Sequence, residues 1–177
     1  MANEYLWAPW RMAFIHGEDF PEVPEESLSL LPGADPNCFF CQAVVSDFKR
    51  ERLVIHRNHS TIAVLNRYPY NNGHLMVAPR RHVGRLADLT SEERADQISL
   101  VTRLIEVLET TMEPHGFNVG ANLGRVAGAG VPGHLHWHIV PRWNGDTNFM
   151  PVLADTKVIP QSLEALWELM VRALDEN

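Results

Sequence analysis

Apolar and polar residues alternate most strictly at positions 134–139, where Leu135, Trp137 and Ile139 separate His134, His136 and His138. A strand turns successive side chains to opposite faces, so this spacing predicts three histidines on one face, roughly 6–7 Å apart. Leu135, Trp137 and Ile139 are then expected in the core. Further strands are expected at Leu53–His56, Thr61–Asn66, His74–Pro79 and Gly116–Asn122, with a turn at 68–73. Helical spacing is clearest over Ile98, Val101, Leu104, Ile105 and Leu108, behind a capping box of Thr90 and Glu93 and ending before Pro114. A second amphipathic helix is expected to open at Pro160 and run through Leu163, Leu166, Trp167 and Met170 to Leu174. A loop rich in glycine (Gly124, Gly128, Gly130, Gly133) leads into the histidine segment. This order of elements predicts an α+β fold with a mainly antiparallel sheet. The 177 residues are expected to form one domain. It comprises an arm and irregular segment (1–37), a core (38–150) and a C-terminal segment with its helix (151–177). The arm carries Tyr5, Trp7, Trp10 and Phe14, and residues 16–37 are rich in proline and acid.

Composition narrows the classes. With 45% hydrophobic and 21% charged residues the chain reads as a soluble globular protein. A net charge of −7 offers no broad basic surface for nucleic acid. The start lacks the pattern of a secretory signal, and no apolar run is long enough to span a membrane. Two cysteines make no disulfide framework, so the cytoplasm is the expected compartment.

Three alternating imidazoles concentrate near-neutral bases, nucleophiles or metal ligands on one element. Two readings follow from the residues alone: covalent nucleotidyl transfer, or a histidine-rich metal site. The GxGxxG at 128–133 precedes a strand, not a helix, which rules out a dinucleotide-binding crossover. Its backbone amides can still approach a phosphate closely. Cys38 and Cys41 are spaced as metal ligands, yet a pair alone is also compatible with two buried core thiols or a redox pair.

The segment His134-Leu135-His136-Trp137-His138-Ile139-Val140 resembles the signature of the histidine triad (HIT) superfamily. Leu65-Asn66-Arg67-Tyr68-Pro69-Tyr70-Asn71-Asn72-Gly73-His74 is similar to a stretch of the Fhit-like dinucleoside polyphosphate hydrolases, and Asn122-Leu123-Gly124 is a third match. The Trp7–Arg11 arm and the Pro141–Phe149 tail resemble a bacterial subgroup related to diadenosine tetraphosphate phosphorylases. The resemblance implies a dimeric HIT fold, with a sheet of about five strands, one long helix and a C-terminal helix.

It also implies roles. His136 becomes the nucleophile at the α-phosphorus of a dinucleoside polyphosphate, forming a nucleotidyl-histidine later resolved by water or phosphate. His138 and His74 contact phosphate or orient His136. Asn122 and the amides at Gly128 and Gly130 hold developing charge, Asn66 binds ribose, and Leu65 lies against the base. His134 joins Cys38, Cys41 and His82 around a structural zinc. Trp143 and Asp146–Phe149 reach a neighbouring subunit's site. The loop over 128–133 departs from the family in lacking a Ser or Thr for the leaving-group phosphate. Rival readings are a nucleoside phosphoramidase, a mononuclear hydrolase with its metal on His134, His136 and His138, and a nucleotide-binding module without turnover. His16, His56, His59 and His115 carry no motif.

Overall fold

The computed structural model describes residues 27–147 and 158–176. The aromatic arm, His16, the first part of the acidic segment and Asn148–Phe149 lie outside the described residues. Residues 27–37 form turns and irregular chain, as their prolines and acids imply.

Five strands follow: β1 (Val54–Arg57), β2 (Thr61–Leu65), β3 (Leu75–Pro79), β4 (Gly116–Gly120) and β5 (Trp137–Arg142). They form one sheet in the order β1-β2-β3-β5-β4, with every neighbouring pair antiparallel. Three α-helices accompany them: α1 (Phe39–Val45), α2 (Ser91–Met112) and α3 (Leu163–Glu176). The α+β class and the five antiparallel strands match expectation.

Both faces of the sheet are covered. Leu65, Leu75, Val77 and Ile139 pack with Leu104 and Leu108 of α2 and Met170 of α3. The alternate positions Ile62, Val64, Met76 and Ala78 pack instead with Phe40 and Val44 of α1. That is why β2 and β3 read as continuous apolar runs: every residue in them is buried.

Helix α2 begins as expected. The Thr90 hydroxyl accepts from the Glu93 N–H while the Glu93 carboxylate accepts from the Thr90 N–H, closing the capping box. Ile98 departs from the stripe and is 48% exposed, because Gln97 and Leu100 face the sheet in its place. Helix α3 starts at Leu163, just after Ser162, whose hydroxyl accepts from the Ala165 N–H, so this hydroxyl and not Pro160 marks its entry.

Three differences bear on function. Helix α1 was not expected; its seven residues place Phe40 behind the histidines. Strand β5 begins only at Trp137, so His134 and His136 precede the sheet ladder. Leu135 consequently packs with Val83 and Leu89 in a separate small cluster, while Ile139 joins the main core. The turn before β3 requires Gly73, which has φ +76°; a Cβ there would stand 3.0 Å from Pro141 Cγ and 3.1 Å from Met112 Sδ. This glycine sets the entry of His74 into β3.

Candidate functional site

The three histidines of the strand segment have three different sets of partners. His134 is fully buried. Its Nε2–H donates to the Pro79 carbonyl at 2.8 Å, which leaves Nδ1 as a lone pair. That nitrogen lies 3.3 Å from Cys38 Sγ and 3.6 Å from Cys41 Sγ. Cys41 Sγ is in turn 3.2 Å from His82 Nδ1, and the four ligand atoms lie within 4.8 Å of one another. Tetrahedral zinc with sulfur and nitrogen ligands needs ligand-to-ligand edges of roughly 3.5 Å. The residues present therefore fit such an ion. Burial pushes the Cys38 thiol up to about 12 and the His134 imidazole down to about 4. A neutral imidazole is what a metal requires, and a bound cation would reverse the effect on the thiol.

His136 turns away from this cluster. Its Nδ1–H donates to the His134 backbone carbonyl at 2.8 Å, so the lone pair stands on Nε2. Burial lowers its pKa and keeps the ring neutral. Phe40 packs against both rings, with centroids 5.0 Å from His134 and 5.2 Å from His136.

His138 is held by a relay whose proton positions follow from one unambiguous donor. The Tyr70 backbone N–H donates to His74 Nδ1 at 3.0 Å, so His74 carries its proton on Nε2. That N–H donates to His138 Nδ1 at 2.9 Å, which puts the His138 proton on its own Nε2. Asn66 strengthens the start of the relay. Its carbonyl oxygen accepts from the Tyr68 N–H, which turns its amide nitrogen to within 3.2 Å of His74 Nδ1. The Tyr70 ring covers both imidazoles, with centroids 4.7 Å from His74 and 5.7 Å from His138. His136 thus presents an acceptor nitrogen and His138 a donor, with ring centroids 4.9 Å apart.

Both rings line a cleft of about 780 Å³, large enough for a nucleotide with further phosphates. Of the residues expected at the site, Leu65, Asn66, Gly128, Gly130, His136 and His138 line it, as do Cys38 and His82 from the cluster behind. His74 and His134 stand behind the lining, almost fully buried. Asn122 is not part of the wall; its amide nitrogen sits beneath the glycine loop, 3.6 Å from where a Cβ on Gly128 would lie. Trp143 donates to the Met112 carbonyl, and Asp146 binds Arg142 and Asn71, so these residues make contacts within their own chain.

Sequence reasoning missed Tyr70, Phe40 and the His134 carbonyl. Tyr70 stood inside a quoted motif, but only the fold of the turn reveals that its N–H sets a tautomer. The His134 carbonyl has no side-chain signal at all. The geometry also gives the three alternating histidines different partners. His134 faces two thiols, His136 a carbonyl and His138 another imidazole, so the three do not converge on one metal ion. Among the described residues the metal-competent groups are the Cys38 cluster and an exposed His59–Glu92–Asp96 group.

An antiparallel sheet covered on both faces, with a histidine relay at the mouth of a cleft, is the architecture of a histidine triad protein. The HIT domain model matches residues 48–145, and the chain belongs to that family. It is 45% identical over 158 residues to the AP-4-A phosphorylase of Mycobacterium tuberculosis, covering 89% of this chain and 77% of that one. A hypothetical histidine triad nucleotide-binding protein of Sulfolobus tokodaii has the same fold, at a TM-score of 0.63 and 24% identity over 78% of this chain and 93% of that one. A zinc-bound histidine triad family protein of Mycobacterium smegmatis aligns at 0.58 and 26% identity, over 70% and 84%.

Proposed function

We propose that this chain cleaves dinucleoside polyphosphates of the diadenosine tetraphosphate type at the α-phosphorus, through a nucleotide held covalently on His136. The observation that carries this is the tautomer of His136: Nδ1–H is committed to the His134 carbonyl, and Nε2 is left as a nucleophile at the cleft wall. Nε2 attacks the α-phosphorus and forms a P–N bond as the bridging P–O bond breaks. The leaving polyphosphate departs as an anion. The His138 Nε2–H and the amides of Gly128 and Gly130 offer donors to the phosphoryl oxygens in both steps. An oxygen of phosphate or water then attacks the same phosphorus and releases the nucleotide from His136. The likeness to a mycobacterial AP-4-A phosphorylase supports this substrate class and favours phosphate as the acceptor.

Cys38, Cys41, His82 and His134 would hold zinc, a closed set of four protein ligands whose contribution is structural. The zinc-bound relative supports that assignment. The reading further carries a homodimer and a cytoplasmic location, in keeping with two free cysteines.

Labelled diadenosine tetraphosphate tests the proposal. The wild type should acquire acid-labile adenylate, and His136→Ala none. Turnover without any adduct, abolished by a chelator, would instead favour a metal hydrolase. Product formation with and without inorganic phosphate identifies the acceptor.

A further inference from the structure

We infer that Arg125 binds the phosphates of the leaving group, and so selects polyphosphate substrates over those whose leaving group carries no phosphate. The inference rests on the function proposed above and extends it to a residue no motif marks. The loop over residues 124–133 reads Gly-Arg-Val-Ala-Gly-Ala-Gly-Val-Pro-Gly. Arg125 is its one side chain able to hydrogen-bond an anion; the loop has no hydroxyl, amide or other charge. The backbone fixes where this side chain starts. Gly124 (φ 87°) and Gly128 (φ 88°) flank a single 3₁₀ turn, with the Gly128 N–H donating to the Arg125 carbonyl at 2.9 Å.

Three arginines line the cleft: Arg52, Arg67 and Arg125. Two are already held by the protein. Arg52 donates to Gln42 Oε1 at 2.9 Å and Arg67 to the Glu51 carbonyl at 2.7 Å. The Arg125 guanidinium has no protein acceptor among the described residues, and its side chain is exposed on the same wall as Gly128, Gly130 and His136. A planar guanidinium bonds phosphate through two parallel N–H groups, which suits a polyphosphate chain leaving His136. Charge makes the same point. The cleft's other charged walls are Asp35 and Glu51. His136 commits its Nδ1–H to the His134 carbonyl, so the departing anion takes its donors from other groups on the wall.

In diadenosine tetraphosphate the bond that breaks at the α-phosphorus is P–O, and the departing group is a polyanion. In an adenosine phosphoramidate the bond that breaks is P–N. The amine leaves after taking a proton from water and offers Arg125 nothing to bind. The experiment compares kcat/KM for these two substrates in the wild type, Arg125→Gln and Arg125→Lys, with melting temperature as the control for folding.

Arg125→Gln is expected to lower kcat/KM for diadenosine tetraphosphate by roughly 10- to 100-fold, with phosphoramidate cleavage within about twofold of wild type. Arg125→Lys should recover part of the loss, since a point charge replaces the fork. Equal losses on both substrates, or no loss on either, overturn the inference while leaving the proposed function standing. A wild type that cleaves neither substrate and forms no adduct overturns both.

Discussion

His134 and His138 are the same residue type, four positions apart, on either side of His136, and the fold assigns them opposite surroundings. His134 is sealed among two thiols, the Pro79 carbonyl and the Phe40 ring, where nothing reaches it from the cleft. His138 stands at the cleft wall with its proton position dictated through His74 by a backbone N–H. An imidazole takes its role from the partner of its second nitrogen. A carbonyl partner on Nε2 leaves His134 a lone pair toward the two thiols, and a donor partner on Nδ1 leaves His138 an N–H on Nε2. His136 depends on both sides, because its own tautomer is set by the backbone of His134.

The largest expected effect falls on the residue between them. His136→Ala should reduce turnover of diadenosine tetraphosphate by roughly 10⁴-fold or more and abolish the adduct, as removal of a covalent nucleophile does elsewhere. Melting temperature should change far less than activity. An alanine variant that still acquires adenylate would show that another group is the nucleophile.

Breaking the His134 side should act through stability. Cys41→Ala removes a thiol that lies against both His82 and His134. Zinc content is expected to drop from about one per chain to near none. The melting temperature should fall by roughly 4–12 °C, the equivalent of about 2–3 kcal/mol in a chain of this size. Metal analysis and a thermal melt check both. Full stability in a metal-free variant would make these cysteines ordinary core residues.

Breaking the His138 side should act through rate. His74→Ala removes the donor to His138 Nδ1 and frees that ring to adopt the other tautomer. The expected outcome is a fall in kcat of about 10- to 100-fold, within the range for losing one positioned proton donor, with zinc content unchanged. Asn66→Ala, which leaves the Tyr70 N–H in place, should lose less. A rate that survives His74→Ala would sever the relay from the chemistry.

These two sides were not equally legible in the sequence. The Cys38 cluster was readable because its four members are side chains: spacing marked only Cys38 and Cys41, the family resemblance added His82 and His134, and the fold brings all four together. The relay was half readable. Asn66, His74, His136 and His138 were marked, but the groups that fix the ring protons are the Tyr70 N–H and the His134 carbonyl, backbone groups that carry no side-chain signal. The same limit explains β5. Alternation predicted a strand from position 134, yet the ladder to β3 starts at Trp137 and that to β4 at His138, because His134 and Leu135 bond Val131 and Val83 outside the sheet. Helix α1 is seven residues that include Cys41 of the cysteine pair and the polar Gln42, and periodicity cannot resolve so short a segment.

The smallest expected effect lies at the edge of the His134 side. Arg81, adjacent to His82 of the Cys38 cluster, donates through two nitrogens to Glu93 at 2.7 and 2.8 Å and to the Asp88 carbonyl at 3.0 Å. The guanidinium holds the Glu93 carboxyl down to about 2, with the Thr90 cap assisting. A carboxyl with a depressed pKa stabilises the folded state in full above its ordinary value of about 4.5, and that contribution is lost as the pH falls through about 2. Half the Arg81 side chain is exposed to solvent, so screening limits the pair to about 0.2–1 kcal/mol. Arg81→Ala should therefore lower the melting temperature at pH 7 by at most about 4 °C, with the gap to wild type closing as the pH approaches 2. If the same variant also loses zinc, the pair does more than tie β3 to α2: it holds His82 in reach of Cys41, and the metal side extends to the start of the long helix.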